Sequence, residues 1–135
     1  MSTEYPDGLR YTKEHEWARV EAHGDKRIAT IGITRFAVDQ LGDITQVDLP
    51  KEGETITKDE VFGTVESVKA VSDLFAPIAG EVAEVNTELT GAPELVNQDP
   101  YGRGWMLVIV PEIPGELDLL LTADQYEQHI AGSAH

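Results

Sequence analysis

Lys69 is the residue whose type and surroundings best suit covalent chemistry. It stands between two apolar, strand-like runs, Val61–Val68 and Val71–Phe75, in the segment Gly63-Thr-Val-Glu-Ser-Val-Lys69-Ala-Val-Ser-Asp-Leu-Phe-Ala-Pro77-Ile-Ala-Gly80. That pattern predicts a β-hairpin with the lysine at its tip and small residues, Ser67 and Ala70, beside it. Loop tips are exposed and turn their side chains outward. Deprotonated inside a modifying enzyme, a tip amine is a nucleophile toward an activated acyl group. The resulting amide lengthens the lysine stem into a swinging arm and removes one positive charge. The same local residues also suit an unmodified surface lysine, and taken alone they leave that alternative open.

Other chemistry finds less support. The four histidines, His15, His23, His129 and His135, have no metal-ligand spacing, and His15-Glu16 lacks the second histidine of a zinc-protease helix. No nucleophile elbow or phosphate-binding loop is present. Gly102-Arg-Gly104 lacks the third glycine of a dinucleotide fingerprint and reads as a turn. Carboxylates are plentiful, so a glycosidase-like pair is compatible with composition, but nothing in the sequence pairs two of them. The chain has no cysteine, which excludes disulfides, thiolate metal sites and cysteine nucleophiles. Any sulfur chemistry would have to come from an attached group.

The elements that must position Lys69 follow from pattern. Residues through Pro6-Asp7-Gly8 read as a lead-in with a turn. Trp17–Val20 and Arg27–Ile31 form a hairpin about His23-Gly24-Asp25. Thr34 caps a short helix over Arg35–Leu41, which Gly42 stops. Ile44–Leu49 is a strand ended by Pro50, with a turn at Lys51-Glu52-Gly53, and Gly80–Val85 is another strand. Asn86–Pro100 carries Gly91, Pro93 and Pro100 and reads as a loop with at most one helical turn. Trp105–Val110 reads as a strand buried on both faces. A final helix follows, with Thr122 and Gln125 at capping-box spacing and Tyr126 and Ile130 on one face. Short strands separated by turn residues predict a mainly β sandwich or barrel rather than βαβ units. A faint repeat, P-x-x-G-E, occurs at Pro50–Glu54 and Pro77–Glu81 and brackets Lys69.

With 135 residues the chain fits one domain. Ten Lys and Arg stand against 25 Asp and Glu, a net charge of −15 that repels phosphate backbones and anionic lipid. It suits a soluble protein that docks briefly on several partners. No apolar run approaches the roughly 18 residues of a membrane span. Met1–Arg10 has the pattern of neither a signal nor a transit peptide, so the expectation is a cytoplasmic protein without nucleic-acid or membrane partners.

Beyond the local reading, Glu66-Ser-Val-Lys-Ala70 with Ser72-Asp73-Leu74 and Pro77-x-x-Gly80-Glu-Val82 closely resembles the lipoyl-lysine motif of glycine cleavage system H proteins. The similarity extends through His15-Glu-Trp17, Gly32-Ile-Thr34, Ala37 and Leu41-Gly-Asp-Ile44. It continues in Val47-Asp-Leu-Pro50, Gly53, Asn86, Leu89-Thr-Gly91, Pro93, Leu95-Val-Asn97, Pro100-Tyr-Gly102 and Gly104-Trp-Met106. It runs in order from about Leu9 to Gln128. Val71 is bulkier, and Arg103 more basic, than the family pattern at those positions.

The resemblance implies a lipoyl/biotinyl-domain-like sandwich of two antiparallel sheets, a barrel-sandwich hybrid, with short helices and a C-terminal helix. It implies one domain over 1–135, with a core of about 9–112 and a helical tail of about 114–132. Lipoate would be amide-linked to Lys69, with Glu66, Ser67, Val68, Ala70 and Asp73 flanking it for recognition by a lipoyl ligase or transferase. The chain would be a carrier rather than an enzyme, and a monomer in the bacterial cytoplasm. It would take an aminomethyl group from a pyridoxal-phosphate glycine decarboxylase to a tetrahydrofolate-dependent aminomethyltransferase, and its dithiol to dihydrolipoamide dehydrogenase. His15, Glu16 and Trp17 would belong to a cleft that shelters the loaded arm, with Glu16 and Asp73 against its amine. Trp17 and Trp105 also read as core residues, and Glu16 as a solvated strand-edge carboxylate. A biotinyl carrier, a lipoyl relay to other complexes and a non-carrier binding module are the competing readings. Val68 and Ala70 stand where a biotinyl lysine is flanked by methionines.

Overall fold

The computed structural model describes residues 5–133. The chain opens with β1 (Arg10–Tyr11), β2 (Glu16–His23) and β3 (Lys26–Ile33). β2 and β3 pair antiparallel, with His23 opposite Lys26, so the connection is the two-residue turn Gly24-Asp25. Gly24 sits at φ 63°, a left-handed conformation that suits a tight hairpin and costs glycine nothing. Next comes α1 (Arg35–Leu41), bounded as its sequence predicts. Thr34 Oγ1 accepts from Ala37 N at 3.3 Å, and the Gly42 N–H donates to Val38 O at 2.9 Å.

β4 (Ile44–Asp48), β5 (Thr55–Ile56), β6 (Val61–Ser67), β7 (Val71–Phe75) and β8 (Gly80–Val85) follow. Asn86–Pro100 corrects the sequence expectation: it holds two short helices, α2 (Glu88–Gly91) and α3 (Glu94–Gln98). The breakers sit at the helix ends: Gly91 closes α2, Pro93 precedes α3 and Pro100 lies beyond it. Pro93, at φ −62°, precedes the first turn of α3, where a missing N–H costs nothing, and Asn86 Oδ1 accepts from Glu88 N at the head of α2. β9 (Leu107–Pro111) starts two residues later than expected, and Leu107, Val108 and Ile109 are all buried, as a strand covered on both faces requires. A 3-10 turn (Pro114–Leu119) leads to α4 (Ala123–Ser133). The capping box forms in both directions: Thr122 N donates to Gln125 Oε1 at 3.0 Å and Gln125 N to Thr122 Oγ1 at 3.3 Å.

Two antiparallel sheets result, one in the order β1-β2-β3-β9-β8-β5 and one in the order β4-β6-β7. They keep open edges and do not close into a barrel. The main core draws on both sheets, with Ile31, Val65, Leu74, Ile78 and Ile109 almost wholly buried. Gly63 and Gly80 let backbones meet: a Cβ there would lie 2.2 Å from Asp48 O and 2.3 Å from Val110 O. The two P-x-x-G-E copies lie side by side. Gly53 N donates to Val82 O and Val82 N to Glu54 O, each at 2.8 Å, and Ile56 pairs with Gly80. The chain therefore leaves and returns at one place, and the β6–β7 hairpin is the excursion between. A second cluster, Tyr5, Leu9, Tyr11, Trp17, Ala123 and Tyr126, fixes α4 to the larger sheet. Among the described residues no helix is long and apolar enough to cross a membrane.

Candidate functional site

β6 and β7 pair from Val61–Phe75 at the base to Glu66–Val71 near the tip, leaving Ser67–Ala70 as the turn. Ser67 organises it. Its N–H donates to Ala70 O at 2.8 Å, while its Oγ accepts from Lys69 N at 3.3 Å and Ala70 N at 3.1 Å. A small hydroxyl thus satisfies two tip amides that no strand reaches. Val68 N donates to Asp43 O at 3.1 Å and Thr45 Oγ1 to Glu66 O at 3.3 Å, anchoring the tip to the segment after α1. Val68, Lys69 and Ala70 are all exposed. Among the described residues Lys69 makes no ion pair. Its Cε lies 3.8 Å from where a Cβ on Gly42 would stand, so the stem runs past the C-terminal end of α1.

Asp73 is exposed on β7, opposite Thr64, and shares a strand face with exposed Val71. Glu66 is half-buried on β6. Glu16 differs from its sequence reading as a solvated carboxylate: it is 1% exposed. Its Oε1 accepts from Thr12 Oγ1 at 2.7 Å and its Oε2 from Phe75 N at 3.3 Å, so it joins the start of β2 to the base of β7. Burial pushes this carboxyl up to about 8, against the pull of the Thr12 hydroxyl and the Phe75 amide. Thr12 was not singled out by sequence; it precedes Glu16 by four residues in an irregular segment with no periodicity to mark it. Trp17 is fully buried, with Nε1 donating to Pro100 O at 3.0 Å, and Trp105 is half-buried beside the second cluster.

His15 lies at φ 77° with its ring 4.6 Å from that of Phe36 and Nδ1 2.7 Å from the Tyr126 hydroxyl. Burial and the neighbouring His129 lower it to about 4, so it is neutral. Arg103 meets Glu88 at 3.2 Å with both side chains exposed, away from Lys69 in sequence and in this pairing. His135 lies outside the described residues. Among those described, no group of three or more His, Cys, Asp or Glu is set to hold a metal ion.

A two-sheet sandwich presenting an exposed lysine on a hairpin turn has the architecture of a carrier domain. The chain belongs to the glycine cleavage H-protein family: the model of the family described as "Glycine cleavage H-protein" matches residues 9–132. A glycine cleavage system H protein of Magnetococcus marinus is 57% identical over 121 residues, 90% of this chain and 84% of that protein. One from Brevibacillus brevis is 57% identical over 92% of this chain and 95% of its own length, and one from Cyanothece 49% identical over 98% and 100%. The crystal structure of a glycine cleavage system H protein from Mycobacterium marinum superposes with a TM-score of 0.84 at 40% identity, covering 93% of this chain and 98% of that one. Members of the family are lipoyl carriers of the glycine cleavage system and not catalysts, and that role is this chain's.

Proposed function

We propose that Lys69 is the lipoylated residue and that the chain, as one monomeric domain in the cytoplasm, carries an aminomethyl group from glycine decarboxylase to the aminomethyltransferase and its dithiol to dihydrolipoamide dehydrogenase. The observation that carries the reading is an exposed lysine on a turn braced by Ser67 and tied back through Val68 N to Asp43 O. A rigid root with a free stem lets a modifying enzyme reach the amine and lets one arm visit several active sites. A bound dithiolane supplies reversible disulfide chemistry, for which a chain without cysteine has no other source. Glu66, Asp73 and the exposed Val68 and Ala70 form the surface a lipoyl ligase meets first.

Glu16 and Asp73 are the proposed contacts for the arm's amine. Glu16 closes the base of β7 through Phe75 N, and a cationic amine nearby would draw its proton off, giving a charge-assisted pair where water is scarce. Intact mass after incubation with a lipoyl ligase, ATP and lipoate tests the attachment. One lipoyl increment on the native chain and none on Lys69→Arg is expected; an increment retained in Lys69→Arg moves the site elsewhere.

A further inference from the structure

Tyr126 lies on α4, remote in sequence from the hairpin, yet its hydroxyl stands 2.7 Å from His15 Nδ1 and 2.8 Å from Thr34 Oγ1. Both partners lie on segments that lead to residues of the proposed site. His15 immediately precedes Glu16, and its main chain is held left-handed, a conformation that is strained for a bulky residue and persists only where its surroundings impose it. Thr34 is the N-cap of α1, the helix whose other end lies against the Lys69 stem. The two segments are also joined directly, Thr34 N donating to His15 O at 3.0 Å. Tyr126 is wholly buried and stacked on Tyr11, with ring centroids 4.9 Å apart and planes within 10°, so its hydroxyl has little freedom.

We propose that Tyr126 is a positioning residue for the arm: its hydroxyl braces α1 and the Glu16 segment against each other, and this brace sets how long cargo on Lys69 is kept from water. The proposal rests on the reading of Lys69 and Glu16 given above. A buried hydroxyl shared between a strained backbone segment and a helix cap holds both in one register, and the loss of either bond loosens α1, whose far end meets the Lys69 stem, from the segment that carries Glu16. The aromatic cluster alone would fix α4 without any need for this hydroxyl. Phenylalanine would keep the stacking on Tyr11 and the edge contact with Tyr5 at 5.4 Å.

The test compares full-length lipoylated native chain, Tyr126→Phe, Thr34→Val and a packing control, Ile130→Ala, which trims the α4 cluster without touching the hydroxyl. Each is loaded once, separated from the decarboxylase and followed in buffer alone for ammonia release. Loss of cargo breaks its carbon–sulfur and carbon–nitrogen bonds with uptake of one water, whose oxygen becomes the carbonyl: R–S–CH2–NH3+ and H2O give R–SH, formaldehyde and ammonium. The same loss from aminomethylated free lipoamide is the unsheltered reference. Tyr126→Phe and Thr34→Val are expected to shorten the cargo lifetime several-fold toward that reference, with Ile130→Ala near native. In the unmodified chains, amide hydrogen exchange at Ala37, Val38 and Gly42 is expected to quicken in the first two variants only. A native lifetime well above the reference, matched by Tyr126→Phe, overturns the proposal and leaves the sheltering reading standing. A native lifetime equal to the reference overturns both. Equal shortening in Ile130→Ala also overturns it, since packing would then suffice.

Discussion

Glu16 is a carboxyl group held out of water beside one hydroxyl and one amide, and its proton is therefore linked to folding. Its value in the fold, about 8, lies above the ordinary 4.5, so the folded state holds the proton more tightly and stability falls as pH rises through that window. His15 works in the opposite sense. Its value of about 4, against 6.5, means that stability is lost as pH falls from 6.5 toward 4. From 4.5 to 6.5 the two slopes oppose and the joint contribution of this pair is nearly flat, and above 6.5 only that of Glu16 remains. Urea unfolding of the unmodified chain is expected to show a decline from pH 6.5 to 8 of at most about 1.4 kcal/mol per pH unit. Glu16→Gln keeps the size and a donor but has no proton to lose, and is expected to flatten that decline. The same slope in Glu16→Gln would assign it to another group. Ser67→Ala belongs to this scale too. Its two tip amides would turn to solvent, costing about 0.5–1.5 kcal/mol in denaturant midpoint, while intact mass still registers lipoyl transfer.

Among the elements, legibility tracked how local the determinants are. Thr34, Gly42, Thr122 and Gln125 announce the ends of α1 and the start of α4 because a cap is made within four residues of itself. The β6–β7 hairpin was legible because two apolar runs flank a short break at Lys69-Ala70. The two-residue strands β1 and β5 were not, since each is too short to show a period and exists only through its partners: Tyr11 opposite Trp17 and bridged to distant Leu121, and Ile56 opposite Gly80. α2 and α3 were hidden because Gly91 and Pro93 read as breakers when they are boundaries. The exposed turn that carries Lys69 was legible, whereas the burial of Glu16 depends on Thr12 and Phe75, which no periodicity joins to it. The close approaches give a prediction at this scale. In Gly80→Ala the new methyl would sit 2.3 Å from Val110 O and 2.6 Å from Ile109 Cγ2, both fixed in the core. The strand β8 would have to shift, at about 1–3 kcal/mol, measured as a lowered urea midpoint. Gly91→Ala, with open space about it, is the matched control and is expected to change little.

For the molecule as a whole the governing quantity is charge. A net −15 on 135 residues is offset by few local pairs: among the described residues the ion pairs are Arg27–Asp118, Lys58–Asp59 and Arg103–Glu88, all of them with at least one well-exposed partner. Exposed pairs contribute about 0–1 kcal/mol each, so diffuse repulsion among the remaining carboxylates outweighs them. Such repulsion acts over the Debye length, about 30 Å at 0.01 M salt and about 8 Å at 0.15 M, against a domain only a few tens of ångströms across. Adding sodium chloride over that range screens the repulsion while reaching buried contacts little, and Tm is expected to rise by several degrees, about 4–8 °C for each kcal/mol relieved in a domain somewhat smaller than this and about 2–4 °C in a larger one. Chloride is the salt to use, because sulfate stabilises by exclusion and would imitate the result. Acylation of Lys69 removes one cation and takes the net charge from −15 to −16, so the lipoylated chain is expected to gain slightly more from salt than the unmodified one. A Tm that is flat or falls across the range would mean that the few ion pairs dominate the field, and the acidic surface would then have to be explained by docking rather than by solubility.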